Sequence, residues 1–407
     1  MNTTVTKLWN KNFIMLVIGW EFNLIGSALL QFVLPLYVLL ETGDPALMGT
    51  VLAISSVPFI ILTPIGGVIA DRINKRKLLA VMNLATAIAI IIYFGISGIM
   101  EIVPATVIMM LVLFAFESMI SPSVEASVPV LVPAGELVRA NSITFLLTTF
   151  SSIGSPIIGG FILERFGVTP ILFISIACYL LATIIKFLAK IPYTKQDMSE
   201  SLSKTIMSDT KDGVSYVTKV KPALGKVILI ITLFGVTLGP ILSAVSVLVT
   251  THLEMGETMV GLTRGLVVIG GTAGVMLISF LREKANVTIV RTLLLISSIA
   301  FIPVGIAIMW SNNYTLTYII LIVSFFIMFA SNTIMGIINW SYLGEKSPEH
   351  LVGKVLSLAS AFMFLGIAVG NYLYGFLLNH FIETPAIALF IIAGASTVVA
   401  LGARIKE

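Results

Sequence analysis

The amino-acid sequence predicts an all-α membrane protein, with twelve transmembrane helices in two pseudo-symmetric halves of six. Three observations carry that prediction. Hydrophobic residues fill 57% of the 407 positions and charged residues only 11%, where a soluble domain carries ~25% charge. Most of the chain therefore has lipid as its solvent. Against the ~20 apolar residues that cross a bilayer as a helix, the chain offers twelve runs. They lie at 12–40, 46–70, 78–99, 105–125, 139–163, 169–190, 226–250, 258–280, 291–310, 316–341, 355–379 and 386–403. The third observation is charge placement. With the amino terminus inside, the inner connections hold 22 of the 24 lysines and arginines, leaving Arg165 and Arg264 outside. That bias implies an even number of spans and both termini inside.

The opening MNTTVTKLWNKNF leads into a run too long for a signal-peptide core and lacks a small-residue cleavage site, so this run is expected to remain as the first span. Residues 1–190 make the amino-terminal half. The polar stretch 191–225 is expected to be an inner-side central loop. Within it Ile206, Met207, Val214, Val217 and Val220 recur near helical spacing. This fits an amphipathic helix on the membrane surface, or a plain linker. Residues 226–407 make the second half. The halves echo each other: Gly49 matches Gly261, and Asp71 and Arg72 match Glu283 and Lys284, all at an offset of 212. "PAGELVRANS" from Pro133 returns as "PEHLVGKVLS" from Pro348, at 215. Near-constant offsets at matching topological places argue for duplication.

Charge concentrates in "PIGGVIADRINKRK", residues 64–77. Gly67, Asp71, Arg72, Lys75 and Arg76 fill a pattern that resembles the loop between helices 2 and 3 of the major facilitator superfamily, G-x-x-x-D-R-x-x-[KR]-[KR]. "SPSVEASVPVLVP" and "DGVSYVTKVKPALGKV" resemble its bacterial branch of macrolide-efflux and enterobactin-exporter proteins. The resemblance implies a major facilitator fold in a bacterial cytoplasmic membrane. It also implies that Asp71 meets the start of helix 11, where a helix dipole favours negative charge, and that the bases pair across the halves as a gate. Glu125, near the inner end of helix 4, joins that network as an interface acid.

Charges inside the spans cost several kcal/mol unless they are paired, protonated or facing water. Glu21 lies in the first run, in "GWEFNLIGSALLQF" with Asn23 and Gln31, and Glu117 lies in the fourth. No lysine or arginine falls between Lys77 and Arg139, so Glu117 has no basic partner on its own helix. The resemblance implies that helices 1, 4, 7 and 10 line a central cavity. Both acids are then expected to serve cation attraction or reversible protonation there. In the second half Thr232, Thr237, Ser243, Ser246, Ser331, Asn332, Asn339 and Trp340 offer an uncharged face. Arg264 is expected to snorkel outward or to pair with Glu41 or Glu257. "SIGSPIIGG" resembles the superfamily's exporter motif on helix 5. Pro156, Gly159 and Gly160 are kept, and Ser155 stands where the motif has its first glycine.

Other chemistries find no footing in the sequence. There is no G-x-x-x-x-G-K-[ST] phosphate loop, and His252, His350 and His380 fall at loops or span ends. The one cysteine, Cys178, sits in an apolar run. The pI near 9 reflects loop bases that set orientation rather than a nucleic-acid surface. A secondary active transporter is expected, neither an enzyme nor dependent on a cofactor, acting as a monomer. Its partners are the bilayer and an amphipathic small molecule, a cationic or neutral drug moved outward with proton coupling. The alternative cargo is a lipid, siderophore or other endogenous metabolite.

Overall fold

The computed structural model describes residues 7–192, 211, 213–280, 287–310, 313–348 and 351–402, with side chains left aside at 64, 66–72, 240, 287–288, 399 and 402. The described residues contain no strand. Helix α1 is Lys11–Thr42, and α2 comes in two pieces, Pro45–Ser55 and Val57–Arg72. The first half continues with α3 (Lys75–Ile96), α4 (Ile102–Glu125), α5 (Leu137–Phe166) and α6 (Thr169–Leu188). The second half holds α7 (Pro222–Val247), α8 (Glu257–Phe280) and α9, in pieces Val287–Ile299 and Phe301–Trp310. It ends with α10 (Tyr314–Lys346), α11 (Val352–His380) and α12 (Pro385–Gly402). Among the described residues eleven helices are long and apolar enough to cross a membrane, and the apolar part of α12, Pro385–Val398, is shorter.

Local chemistry sets the helix ends. Asn10 accepts from the amides of Asn12 and Phe13 at 3.1 and 3.0 Å, satisfying two donors that a helix start leaves orphaned. Its amide also donates to the Leu131 carbonyl at 2.7 Å, tying the start of α1 to the α4–α5 connection. Gly43 ends α1 with φ +66°, a conformation glycine adopts at no steric cost. Asp44 then caps α2, with Pro45 at its first position. Exposed Ile92, Ile184, Phe187, Ile319 and Phe376 present an apolar exterior, as a lipid-facing surface requires.

Two apolar clusters belong to the first half and two to the second, with Ile191, Val217 and Leu224 of the central stretch packed into them. A fifth crosses between them. It joins Phe32, Leu36, Leu39 and Leu163 to Ile241, Val245, Leu253, Val260 and Tyr374, at the end of the bundle away from the termini. There the halves also touch backbone to backbone. A Cβ on Gly49 would strike the Asn371 carbonyl, and one on Gly375 the Pro45 carbonyl. In the same way a Cβ on Gly261 would strike the Pro156 carbonyl, and one on Gly160 the Glu257 carbonyl. Gly49 and Pro45 map onto Gly261 and Glu257 at an offset of 212; Gly375 and Asn371 map onto Gly160 and Pro156 at 215. The α2–α11 and α5–α8 seams are thus one contact made twice, as a pseudo-two-fold relation between duplicated halves demands.

In the central stretch the stripe divides. Val217 is buried against Leu224, Val227, Leu343 and Val355 of the second half, while Val214 and Val220 are exposed. Ile206 and Met207 lie outside the described residues.

Candidate functional site: a central cavity and a buried polar cluster

A cavity of about 630 Å³ lies between the halves. Eight helices line it: α1, α2, α4, α5, α7, α8, α10 and α11. On α5 the lining runs from Phe145 to Pro156 and stops short of Gly160; on α11 it runs from Phe364 to Asn371 and stops short of Gly375. The cavity therefore lies on the terminus-bearing side of both glycine seams. Its walls are largely apolar, with Phe32, Phe59, Phe114, Phe329 and Phe364 among them. Phe59 of α2 stacks on Phe364 of α11 at 4.4 Å, an aromatic contact across the halves.

The charged and amide side chains of the lining, Gln31, Arg264 and Asn371, lie with Ser243 at the deep end, next to the seams, while the other polar lining residues are serines and threonines. The Ser243 hydroxyl donates to Asn371 Oδ1 at 3.2 Å, and the Gln31 amide donates to Ser27 Oγ at 2.7 Å. Arg264 is the one ionisable residue among the described lining. Only 7% of it is exposed. Its Nε and Nη2 both donate to the Leu242 carbonyl, at 3.0 and 2.8 Å, and its guanidinium carbon lies 5.0 Å from the centre of the Phe32 ring. This corrects the expectation of a snorkelling residue or of a pair with Glu41 or Glu257. The cause is the face of α8 on which Arg264 sits. Gly261 and Gly265 press that helix against α5, and Arg264, three residues after Gly261, sits at the edge of that packed face, where it meets the Leu242 carbonyl of α7 and the Phe32 ring of α1 instead of solvent. "GLTRG" carried this signal in the sequence.

The two acids go elsewhere. Glu21 accepts from the Ser151 hydroxyl of α5 at 2.9 Å, and its other carboxylate oxygen is buried without a hydrogen bond among the described residues. Glu117 is enclosed inside the first half, where Oε1 accepts from Asn23 at 3.1 Å and from the Tyr179 hydroxyl at 3.0 Å. Asn23 also donates to Asn83 at 3.0 Å, linking α1, α3, α4 and α6. Neither acid is among the residues lining the cavity. Nor are Asn23, Asn332, Asn339 and Trp340, whereas Gln31 is. Asn332 donates to Ser297 at 3.0 Å and to the Met328 carbonyl at 2.9 Å. Asn339 is buried, and Trp340 packs on the cluster around Val227.

Sequence reasoning missed Lys186, placing it on an inner connection. It is fully buried in α6, one face with Tyr179, and its charge interacts with Glu117 without a direct ion pair. Its ammonium finds no hydrogen-bond acceptor among the described residues and lies 5.6 Å from the Trp20 ring centre. That leaves 21 of the 24 bases on the proposed inner connections. The signal was Gly19, where a Cβ would come within 3.0 Å of Lys186 Cγ: a small residue beside Trp20 makes room for a long neighbour.

For the expected gate, the side chains at Gly67, Asp71 and Arg72 lie outside the described residues. Lys75 opens α3. Arg76 donates through Nε to the Phe187 carbonyl at 2.7 Å and stacks over that ring at 4.9 Å, a bond within the first half. Glu125 is exposed and accepts from Ser121 at 3.4 Å. On α5, Pro156 lines the cavity, Gly159 packs on Leu29, Phe32 and Val33 of α1, and Gly160 meets α8.

Comparison with known proteins places these features in context. The family model described as "Major Facilitator Superfamily" matches residues 16–371. Macrolide efflux protein A of Streptococcus pyogenes is 23% identical over 375 residues, covering 89% of this chain and 88% of that protein. An uncharacterized MFS-type transporter, YfiS, of Bacillus subtilis is 21% identical over 178 residues, 44% of this chain and 42% of its own length. Among solved structures, the nucleoside transporter NupG superposes with a TM-score of 0.73 at 15% identity, covering 97% of this chain and 98% of that one. A D-xylose-proton symporter gives 0.70 at 16%, covering 97% and 96%.

Proposed function

The chain belongs to the Major Facilitator Superfamily and is a multi-pass membrane transporter; from that premise we propose that it exports amphipathic, largely apolar small molecules by alternating access. The cavity carries this reading. Its volume is that of a small-molecule site, both halves contribute walls, and it is bounded by seams that glycine alone lets close. A relative named for macrolide efflux supports the outward direction, as does the proline–glycine pattern of α5. Acids are absent from the described lining, which disfavours cationic cargo. In its proton-coupled form the reading puts the proton on Glu117, with Lys186 as the charge that answers it. A second reading, a lipid, siderophore or other endogenous metabolite, is favoured by Arg264.

Binding tests it. Neutral macrolide-sized amphiphiles are expected to raise the melting temperature of the purified protein in a concentration-dependent way. Ser152→Trp, which puts an indole into the cavity, is expected to abolish that shift while the protein still elutes as a folded species. An undiminished shift in the variant would remove the cavity from the function.

Location is part of the same proposal: a monomer in a bacterial cytoplasmic membrane, with both termini in the cytoplasm. The one cysteine, Cys178, is buried, so introduced cysteines report cleanly. An impermeant maleimide is expected to label Gly43→Cys in intact cells, and Ser347→Cys only after lysis. The reverse pattern would invert the topology.

A further inference from the structure

We propose that Arg264 anchors an anion: that the carried amphiphile has a carboxylate or phosphate at its polar end, seated at the deep end of the cavity with its apolar part towards the termini. The inference deepens the export reading and rests on it. A buried charge is costly unless something answers it, and among the described residues no acid pairs with Arg264. A carbonyl and an aromatic face soften that cost without neutralising the charge. They also fix its geometry. The Nε/Nη2 edge is spent on one acceptor, the Leu242 carbonyl. The guanidinium has five N–H donors, so the Nη1/Nη2 edge retains the parallel pair that carboxylates and phosphates accept bidentately. A residue built only to cap Leu242 would not need to line a cavity.

The surroundings sort by polarity. Gln31, Ser243 and Asn371 flank the same deep end, and each is the lining residue on its helix nearest the seams or next to it. From there towards the termini the walls are aromatic and aliphatic, with Phe59, Phe364, Phe145 and Val275, broken only by small hydroxyls such as Thr148, Thr149, Ser152, Thr272 and Thr333 and by no charged or amide group. A head group that can accept hydrogen bonds fits the first region, and an acyl or ring system fits the second. A cation would meet Arg264 with no acid to offset the repulsion.

Three probes with a straight tail of nine or ten carbons test the inference on the full chain in zwitterionic nanodiscs: decanoate, decanol and decyltrimethylammonium, with decyl phosphate as a fourth. Decanoate or decyl phosphate is expected to bind about tenfold or more tighter than decanol, the range of a charge-assisted hydrogen bond. Whichever binds tighter distinguishes carboxylate from phosphate cargo. Arg264→Gln is expected to erase that preference, bringing decanoate and decyl phosphate to within about twofold of decanol; Arg264→Lys, which keeps the charge, is expected to retain part of it. Equal binding of decanoate, decyl phosphate and decanol by the wild type, or tighter binding of the cation, would overturn the anion site while leaving the cavity in place. An anion preference that survives Arg264→Gln would overturn the role of this residue. Failure of all four probes to bind the wild type would instead count against the export reading itself. If Arg264→Gln does not fold, the wild-type ranking and the lysine variant decide.

Discussion

Gly160→Val and Gly261→Val are expected to abolish the closed far end of the bundle while leaving each half folded. In either glycine's place a Cβ would come under 3.0 Å from a backbone carbonyl of the other half, and backbone cannot swing aside as a long side chain can. Overpacking of this kind costs ~1–3 kcal/mol. Because the contact joins the halves, the cost falls on one conformational state and not on the fold. It translates into a population shift of roughly 5- to 150-fold away from the state seen here. Spin labels at Gly167 and Met255, on either side of the α5–α8 seam, should move apart, and transport should fall more than tenfold. Gly49→Val and Gly375→Val should do the same at the α2–α11 seam, since the two contacts are copies. Two controls frame the result. Gly366 meets the Thr232 carbonyl within the second half, so Gly366→Val should impair folding itself. Gly95 has open space around it, so Gly95→Ala should change little. Label distances that stay at the wild-type value in Gly261→Val would show that the seam does not hold the state.

The spans and the duplication were legible because both are written in one dimension. An apolar run long enough for the bilayer announces itself, and an offset of 212 between Gly49 and Gly261 needs only counting. What each glycine touches was not legible, since a residue without a side chain carries no mark of its partner. Gly160 and Gly375 became the complementary pair only once α5 met α8 and α2 met α11.

The polar residues show a different limit. Knowing that α1 and α4 border the cavity does not say which face does. On α4 Phe114 lines the cavity, while Glu117, one turn on, turns inward to Asn23 and Tyr179. On α1 Ala28, Gln31 and Phe32 face the cavity, whereas Asn23 faces α3 and α4, and Glu21 faces Ser151 of α5. A transmembrane helix in a bundle is apolar almost all round, so the amphipathic stripe that orients a soluble helix is missing. Helix rotation is then set by small residues and polar partners on neighbours distant in sequence. Lys186 and Arg264 were misplaced for this reason: each lies near a helix end, where bases usually reach water, and each is held inward by glycines.

The enclosed pair yields the second large effect. Lys186→Met and Glu117→Gln, made singly, are each expected to destabilise the protein by ~1–3 kcal/mol, the cost of leaving a buried polar group without its partner. Lys186 has no hydrogen-bond acceptor among the described residues, so the field of Glu117 is what offsets the burial of its ammonium, with the Trp20 face assisting. Glu117 keeps the Asn23 and Tyr179 donors when the lysine is removed, which makes Lys186→Met the milder of the two. The double variant should recover most of the loss, because the amide oxygen introduced by Glu117→Gln can still accept from both donors and methionine fills the lysine's volume without charge. A thermal-unfolding cycle over the four proteins measures the coupling directly; single effects that simply add would show that the two charges do not sense each other. The double variant also separates structure from transport. The pair lies outside the cavity, so amphiphile binding should persist, and if Glu117 carries the coupled proton, uptake driven by a pH gradient into inverted vesicles should fall to the level of the empty membrane. A double variant that is stable, binds and still transports with an intact response to the gradient would make the pair a purely structural bond and place coupling elsewhere.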